Sequence, residues 1–200
     1  RIGLVIPNGV SIETFTQEFT EAEVAGRREA FGFPPESHLL MTSSRLEQKN
    51  GIGDVIDALP KLPDNVCFVI CGSGSLEIEL KEKVATLGLV KRVNFLGFVD
   101  PSELPLIMKA SDTFIRPSLS EGLGNAFLEA MVAKLPVIAT QVGGIADFLY
   151  DAKRNPEKPT TGWAVDVHNP EQIAAEVQAI IEHPEGTQAV IESAHQLAVS

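Results

Sequence analysis

Two glutamates, Glu121 and Glu129, stand eight positions apart in the stretch PSLSEGLGNAFLEAMVAKLPVIATQVGG, residues 117–144. Glu121 precedes Gly122 and Gly124, at the mouth of a glycine-bearing turn. Glu129 sits among Ala126, Phe127, Leu128, Ala130, Met131, Val132 and Ala133, a run that predicts a helix apolar nearly all round and therefore buried. A carboxylate buried without donors is costly and protonates instead. Glu129 thus needs donors: the paired hydroxyls of a ribose would serve, and so would donors belonging to the fold. At the turn, the amides of Gly122, Leu123, Gly124 and Asn125 open a helix and can face an anion, with the helix dipole adding to the pull.

Three further segments carry residues suited to a phosphorylated ligand. In SSRLEQKNG, Arg45 and Lys49 are two cations on one loop. Arg grips phosphate oxygens by its planar fork and Lys as a point charge, although two plain surface cations would read the same way. In CGSGS, Gly72 and Gly74 permit a tight turn, but Glu77 stands where a dinucleotide fingerprint needs its third glycine, and no Gly-Lys-Ser/Thr follows. It reads as a turn beside a ligand cleft. In FLGFVDPSEL, Gly97 allows close approach to the backbone and Phe98 can stack on a base; a plain strand-to-helix turn is the alternative.

These residues need a frame. Short apolar runs at 38–44, 66–72, 93–99, 113–118, 136–140 and 162–167 predict strands, and amphipathic runs at 51–62, 76–88, 102–111, 124–134 and 170–183 predict helices. Pro170 after Asn169 is a helix start, and 185–200 reads as a last helix. The opening RIGLVIPNGVSIETF reads as an edge strand and a turn. Alternation of this kind implies an α/β, doubly wound parallel sheet, Rossmann-like, of about six strands with helices on both faces. Strands buried on both faces are continuously apolar, as these are. In such sheets ligands bind beyond the carboxyl ends of the strands, where all four segments fall. The polar stretch 150–162 reads as a surface loop rather than a lid.

Bulk composition narrows the classes. A chain of 200 residues supports one sizeable core, and 44% hydrophobic with 22% charged residues is ordinary for a globular domain. A net charge of −11 argues against a nucleic-acid partner. Cys67 and Cys71, on one face of a strand and about 13 Å apart, cannot form a disulfide and read as buried thiols of a reducing compartment. No run reaches transmembrane length, and no signal peptide is evident. The start at Arg1, directly in an apolar run, suggests a piece of a longer protein.

The segments IPNGVSIETF, SSRLEQKNG, CGSGS, VNFLGFVDPSEL, SDTFIRPSLSEGLGNAFLEAMVAKLPVIATQVGGIADFL and TGWAVDVHNPEQIAAEV occur in one order along most of the chain. That series resembles the C-terminal, nucleotide-sugar-binding domain of glycosyltransferase family 4, the group 1 glycosyltransferases, with the GT-B fold. The resemblance implies a single donor-binding domain over 1–200, whose acceptor-binding N-terminal partner is absent. It implies a retaining hexosyltransferase taking a UDP-, GDP- or ADP-linked sugar, with no metal and no cofactor, and a glycan or lipid-linked acceptor. Arg45 and Lys49 would bind the diphosphate, and the Gly122–Asn125 turn the phosphate or sugar. Glu121 would meet the donor sugar's hydroxyls, Glu129 the ribose, and the backbone at Gly97, Phe98 and Val99 the base. It further implies a cytoplasmic protein, with peripheral association at the inner face of a membrane for the full-length chain.

Some positions depart from the family pattern. Asn50 stands where the family has a lysine before glycine, with Lys49 one place earlier, and Ala146-Asp147 follow GG in place of Pro-Glu. The 151–161 loop is longer than usual. A GT-B epimerase acting on nucleotide sugars, or a non-catalytic nucleotide-sugar-binding module, are the alternatives.

Overall fold

The computed structural model describes residues 10–200. The edge strand expected at the start lies outside them, and the described end of that stretch is a short helix, α1 (Ile12–Phe15), rather than a turn. A second helix, α2 (Glu21–Ala30), follows; it has no buried residue, so its pattern carries no apolar stripe. Its start is nonetheless specified by a capping box, in which the Thr20 side chain accepts from the Glu23 amide while Glu23 accepts from the Thr20 amide. Arg28 fastens α2 to the body. Its Nη1 donates to both Asp112 oxygens, at 3.1 and 3.0 Å, and to the Ala110 carbonyl, and its Nη2 to the Ser37 carbonyl at 2.7 Å.

Six parallel strands follow: β1 (His38–Ser43), β2 (Val66–Cys71), β3 (Val93–Gly97), β4 (Thr113–Arg116), β5 (Val137–Ala139) and β6 (Trp163–Ala164). Their order is β3-β2-β1-β4-β5-β6, so the chain reverses direction across the sheet between β1 and β4. The helices between and after them are α3 (Ile52–Ala58), α4 (Glu77–Thr86), α5 (Leu104–Lys109), α6 (Asn125–Val132), α7 (Pro170–Glu182) and α8 (Pro184–Ala198). This is the doubly wound, Rossmann-like sheet that the alternation of runs predicts. The strands after β3 are shorter than their apolar runs, and β6 keeps only two residues of the expected 162–167.

Alternation along the strands splits the core in two. Leu40, Phe68, Ile70 and Ile115 face α3, α4 and α7, with Ile56, Leu80 and Val177 against them. Leu39, Met41, Cys67, Val69 and Cys71 face the other way, toward α5, α6 and α8, with Met108, Phe127 and Ala194. Both cysteines therefore lie on one face, buried and unbonded, and burial pushes the Cys71 thiol up to about 12. The 150–162 segment is tied down. Buried Asp151 accepts from the amides of Lys153, Arg154 and Ala164, and Gln141 donates to Leu149 and Asn155.

Candidate active site

Four loops meet at the carboxyl edge of the sheet, and glycines let them touch. A Cβ on Gly72 would lie 1.8 Å from the Ser44 carbonyl oxygen, and one on Gly74 2.4 Å from that of Leu46. The CGSGS turn is thus pressed onto the loop after β1, with Leu46 N–Ser73 O at 2.9 Å and Leu76 N–Leu46 O at 3.0 Å. Its glycines serve loop-to-loop contact. Gly51, with φ at 67°, would place a Cβ 2.1 Å from the Pro117 carbonyl oxygen, and the Leu119 amide donates to Lys49 at 2.7 Å. A Cβ on Gly143 would sit 1.9 Å from the Glu121 carbonyl oxygen, and the Gly144 amide donates to Gly122. The loops after β2, β1, β4 and β5 are joined in that sequence.

On this edge, Arg45, Phe98 and Val99 line one cleft of about 200 Å³ with Ser43, Ser44, Cys71, Gly72 and Ser73. The expected diphosphate cation and base platform thereby come together over β1–β3. Phe98 is 79% exposed, so its ring is open to solvent beside this cleft. Arg45 and Lys49 are exposed and in no ion pair among the described residues. Asn50 is buried, its Nδ2 donating to the Arg45 carbonyl at 2.6 Å, so it braces the loop. Gly97 has a φ of 68°, and a Cβ there would meet no protein atom within 4 Å, so the space over it is open. Two larger hollows, about 460 and 480 Å³, lie away from these residues, against α1 and α2.

The glutamates stand beyond β4, Glu121 on the loop after it and Glu129 on α6. Gly124 caps α6 with φ at 75°, its Cα pressed toward the Phe148 ring. The amides of Leu123, Gly124, Asn125 and Ala126 have no acceptor among the described residues, and the Asn125 Oδ1, fully enclosed, has no donor. The Gly122 amide is not free, as expected from the turn; it donates to Glu121 Oε1 at 3.0 Å. Leu123 is 56% exposed beside it. The α6 helix buries one side, through Phe127, Ala130, Met131 and Val132, while Asn125, Ala126, Leu128 and Glu129 are half-buried, so it is less enclosed than its composition implies. No hydrogen bond reaches the Glu129 carboxylate among the described residues. Burial raises its pKa above the ordinary value, and the Arg116 charge opposes that rise.

Arg116, the last residue of β4, is absent from the sequence-derived candidates. It is 7% exposed. Its Nη2 pairs with Glu121 Oε2 at 2.5 Å, its Nη1 donates to the Ser43 carbonyl at 3.0 Å, and its guanidinium lies 4.3 Å from the Phe127 ring centroid. An arginine within an otherwise apolar strand was the available signal, since a buried cation demands a counter-charge.

Residues 26–197 match the family model described as glycosyl transferases group 1. The chain belongs to the group 1 glycosyltransferases. Similar members include an uncharacterized glycosyltransferase of Methanocaldococcus jannaschii, 31% identical over 81% of this chain and 43% of the relative. Another is the Escherichia coli UDP-Gal:alpha-D-GlcNAc-diphosphoundecaprenol alpha-1,3-galactosyltransferase, 36% identical over 70% of this chain and 37% of its own length. Among solved structures, Anabaena HepE in complex with UDP-glucose superposes with a TM-score of 0.85 at 25% identity, over 96% of this chain and 51% of HepE. The chain thus spans about half or less of the relatives it matches. Its six-stranded sheet is the Rossmann-like unit of a GT-B group 1 glycosyltransferase, as the motif series implies. Among the described residues, no three His, Cys, Asp or Glu side chains are grouped to hold a metal, and no helix is long and apolar enough to cross a membrane.

Proposed function

We propose that this chain is the donor-binding domain of a retaining, family 4 hexosyltransferase that works without a metal. Glu129 carries the reading: a half-buried carboxylate, midway along α6, with no donor from the described fold. Paired ribose hydroxyls would supply what it lacks. The remaining roles follow from position. Arg45 and Lys49 hold the diphosphate, and the amides from Leu123 to Asn125 take phosphate or sugar oxygens. Glu121 accepts from the sugar hydroxyls, and the base lies along Gly97–Val99 against Phe98.

In this site, departure of the nucleoside diphosphate builds negative charge on the β-phosphate. Preorganised amides and the two cations lower that barrier, each such donor being worth about 3 kcal/mol. Front-face attack lets the departing phosphate take the acceptor's proton, so the domain supplies no general base. The acceptor, a glycan or a lipid-linked sugar, is held by a domain outside this chain. The full-length protein is then cytoplasmic, and a lipid-linked acceptor places it at the inner face of a membrane. HepE was crystallised with UDP-glucose, which makes UDP the first nucleotide to try.

Calorimetric titration of UDP, GDP and ADP tests the reading, repeated with Glu129→Ala and Arg45→Ala. One nucleotide is expected to bind, and each substitution is expected to weaken it about tenfold or more. Undiminished binding by both variants would overturn the site.

A further inference from the structure

The two glutamates of this site face one buried cation. Arg116 ends β4 paired with Glu121 at 2.5 Å, and its charge is the one that bears on Glu129. Three groups from different elements fix the guanidinium: the Ser43 carbonyl at the end of β1, the Phe127 ring on α6 and the Glu121 carboxylate on the loop after β4. Its Nε, enclosed, has no acceptor among the described residues. Glu121, with its side chain 17% exposed, is held at both oxygens, Oε2 by Arg116 and Oε1 by the Gly122 amide. Each oxygen keeps a second lone pair for a ligand hydroxyl.

We propose that Arg116 is a positioning residue of the donor site: its guanidinium sets the Glu121 carboxylate for the donor sugar. This rests on the donor-site reading above. Arginine is required for geometric reasons. Only a planar fork can serve the Ser43 carbonyl and the carboxylate together while lying over an aromatic ring; an ammonium at the same place keeps the charge and loses the alignment. Breaking the Arg116–Glu121 pair frees Glu121 to rotate toward solvent. Removing the cation leaves Glu129 with burial alone. The other titratable groups on the helices packed against α6 are Glu13 on α1 and Glu185, Glu192 and His195 on α8. Glu192 pairs with Lys134 and His195 bonds to the Val132 carbonyl, so both are engaged at the C-terminal end of α6.

The test is titration of the chain with UDP and with UDP-glucose between pH 5 and 8, about the range in which a perturbed carboxyl titrates. Arg116→Lys should remove the extra affinity that glucose adds over UDP, about tenfold where that increment is present, while UDP itself changes little. Arg116→Met should remove the same increment and also move the acid limb of UDP binding to higher pH, because Glu129 loses its neighbouring cation. Glu121→Gln should move that limb to lower pH, because the Arg116 charge then bears on Glu129 alone. Adding Glu121→Gln to Arg116→Met should cost no further sugar increment, since one residue acts through the other.

A residue that only stabilises the fold would lower the melting temperature of the Arg116 variants and leave both the UDP-glucose to UDP ratio and the acid limb where they were. That outcome, in variants that remain folded, overturns the proposal. If Arg116→Lys does not fold, Glu121→Gln decides, and an unchanged UDP-glucose to UDP ratio in that variant overturns the proposal. Failure of the wild-type chain to bind any nucleotide would instead remove the donor-site reading itself.

Discussion

At the residue scale, the site is built from groups that the fold leaves short of partners. Glu129 is the clearest. Burial holds its pKa above the ordinary 4.5, with Arg116 opposing. Between 4.5 and that raised value the native chain binds more protons than the unfolded one, so stability falls as pH rises through this window and is lowest above it. Glu129→Gln should therefore raise the melting temperature at pH 7.5 and flatten its pH dependence, while weakening UDP binding about tenfold. Thermal melts at several pH values and calorimetry on the same variant check both halves. A lower melting temperature for the variant would mean that the carboxylate stabilises the empty fold. Donor hydroxyls favour the ionised form. UDP binding by the native chain should consequently weaken as pH falls through the raised Glu129 value.

At the element scale, the glycines around the cleft divide by physical task. Gly72 is pressed on Ser44, with no room for a Cβ at 1.8 Å from backbone oxygen. Gly97 has room but needs a positive φ, and Gly122 needs neither. Their alanine variants should rank accordingly in urea unfolding. Gly72→Ala should cost ~3 kcal/mol or more, through backbone displacement. Gly97→Ala should cost ~1 kcal/mol, the usual left-handed penalty. Gly122→Ala should fall within ~0.5 kcal/mol of wild type. The same elements show what patterning misses. Apolar periodicity locates β1–β4 and α3–α7 to within a few residues. It passes over α2, which buries nothing and is held by a capping box and by Arg28. The signal for α2 lay in Thr20-x-x-Glu23 rather than in any stripe.

At the scale of the whole molecule, one edge of the sheet carries the candidate ligands, and it is open. Arg45, Lys49, Phe98 and Leu123 are all exposed there. On the proposed reading, a second domain closes over this edge and excludes water, which strengthens each polar contact. The isolated chain should then bind UDP more weakly than the full-length protein, by about tenfold or more, and show little sugar transfer. Side-by-side calorimetry of the two checks this; equal affinities would mean that the donor site is complete within these 200 residues. The sequence by itself determined the layered α/β architecture, because periodicity of burial is a local property that each strand and helix carries in its own residues. It also determined the family, through motifs that keep their order. Contacts between distant segments were decided by tertiary structure alone. Arg116 meets Ser43 because β4 lies beside β1, while its pairing with Glu121 and the Gly122 amide's bond to Glu121 follow from the path of the loop after β4. Asn50 turns inward on Arg45 for the same kind of reason. Apolar periodicity does not encode those meetings, since they depend on strand order and on the path each loop takes.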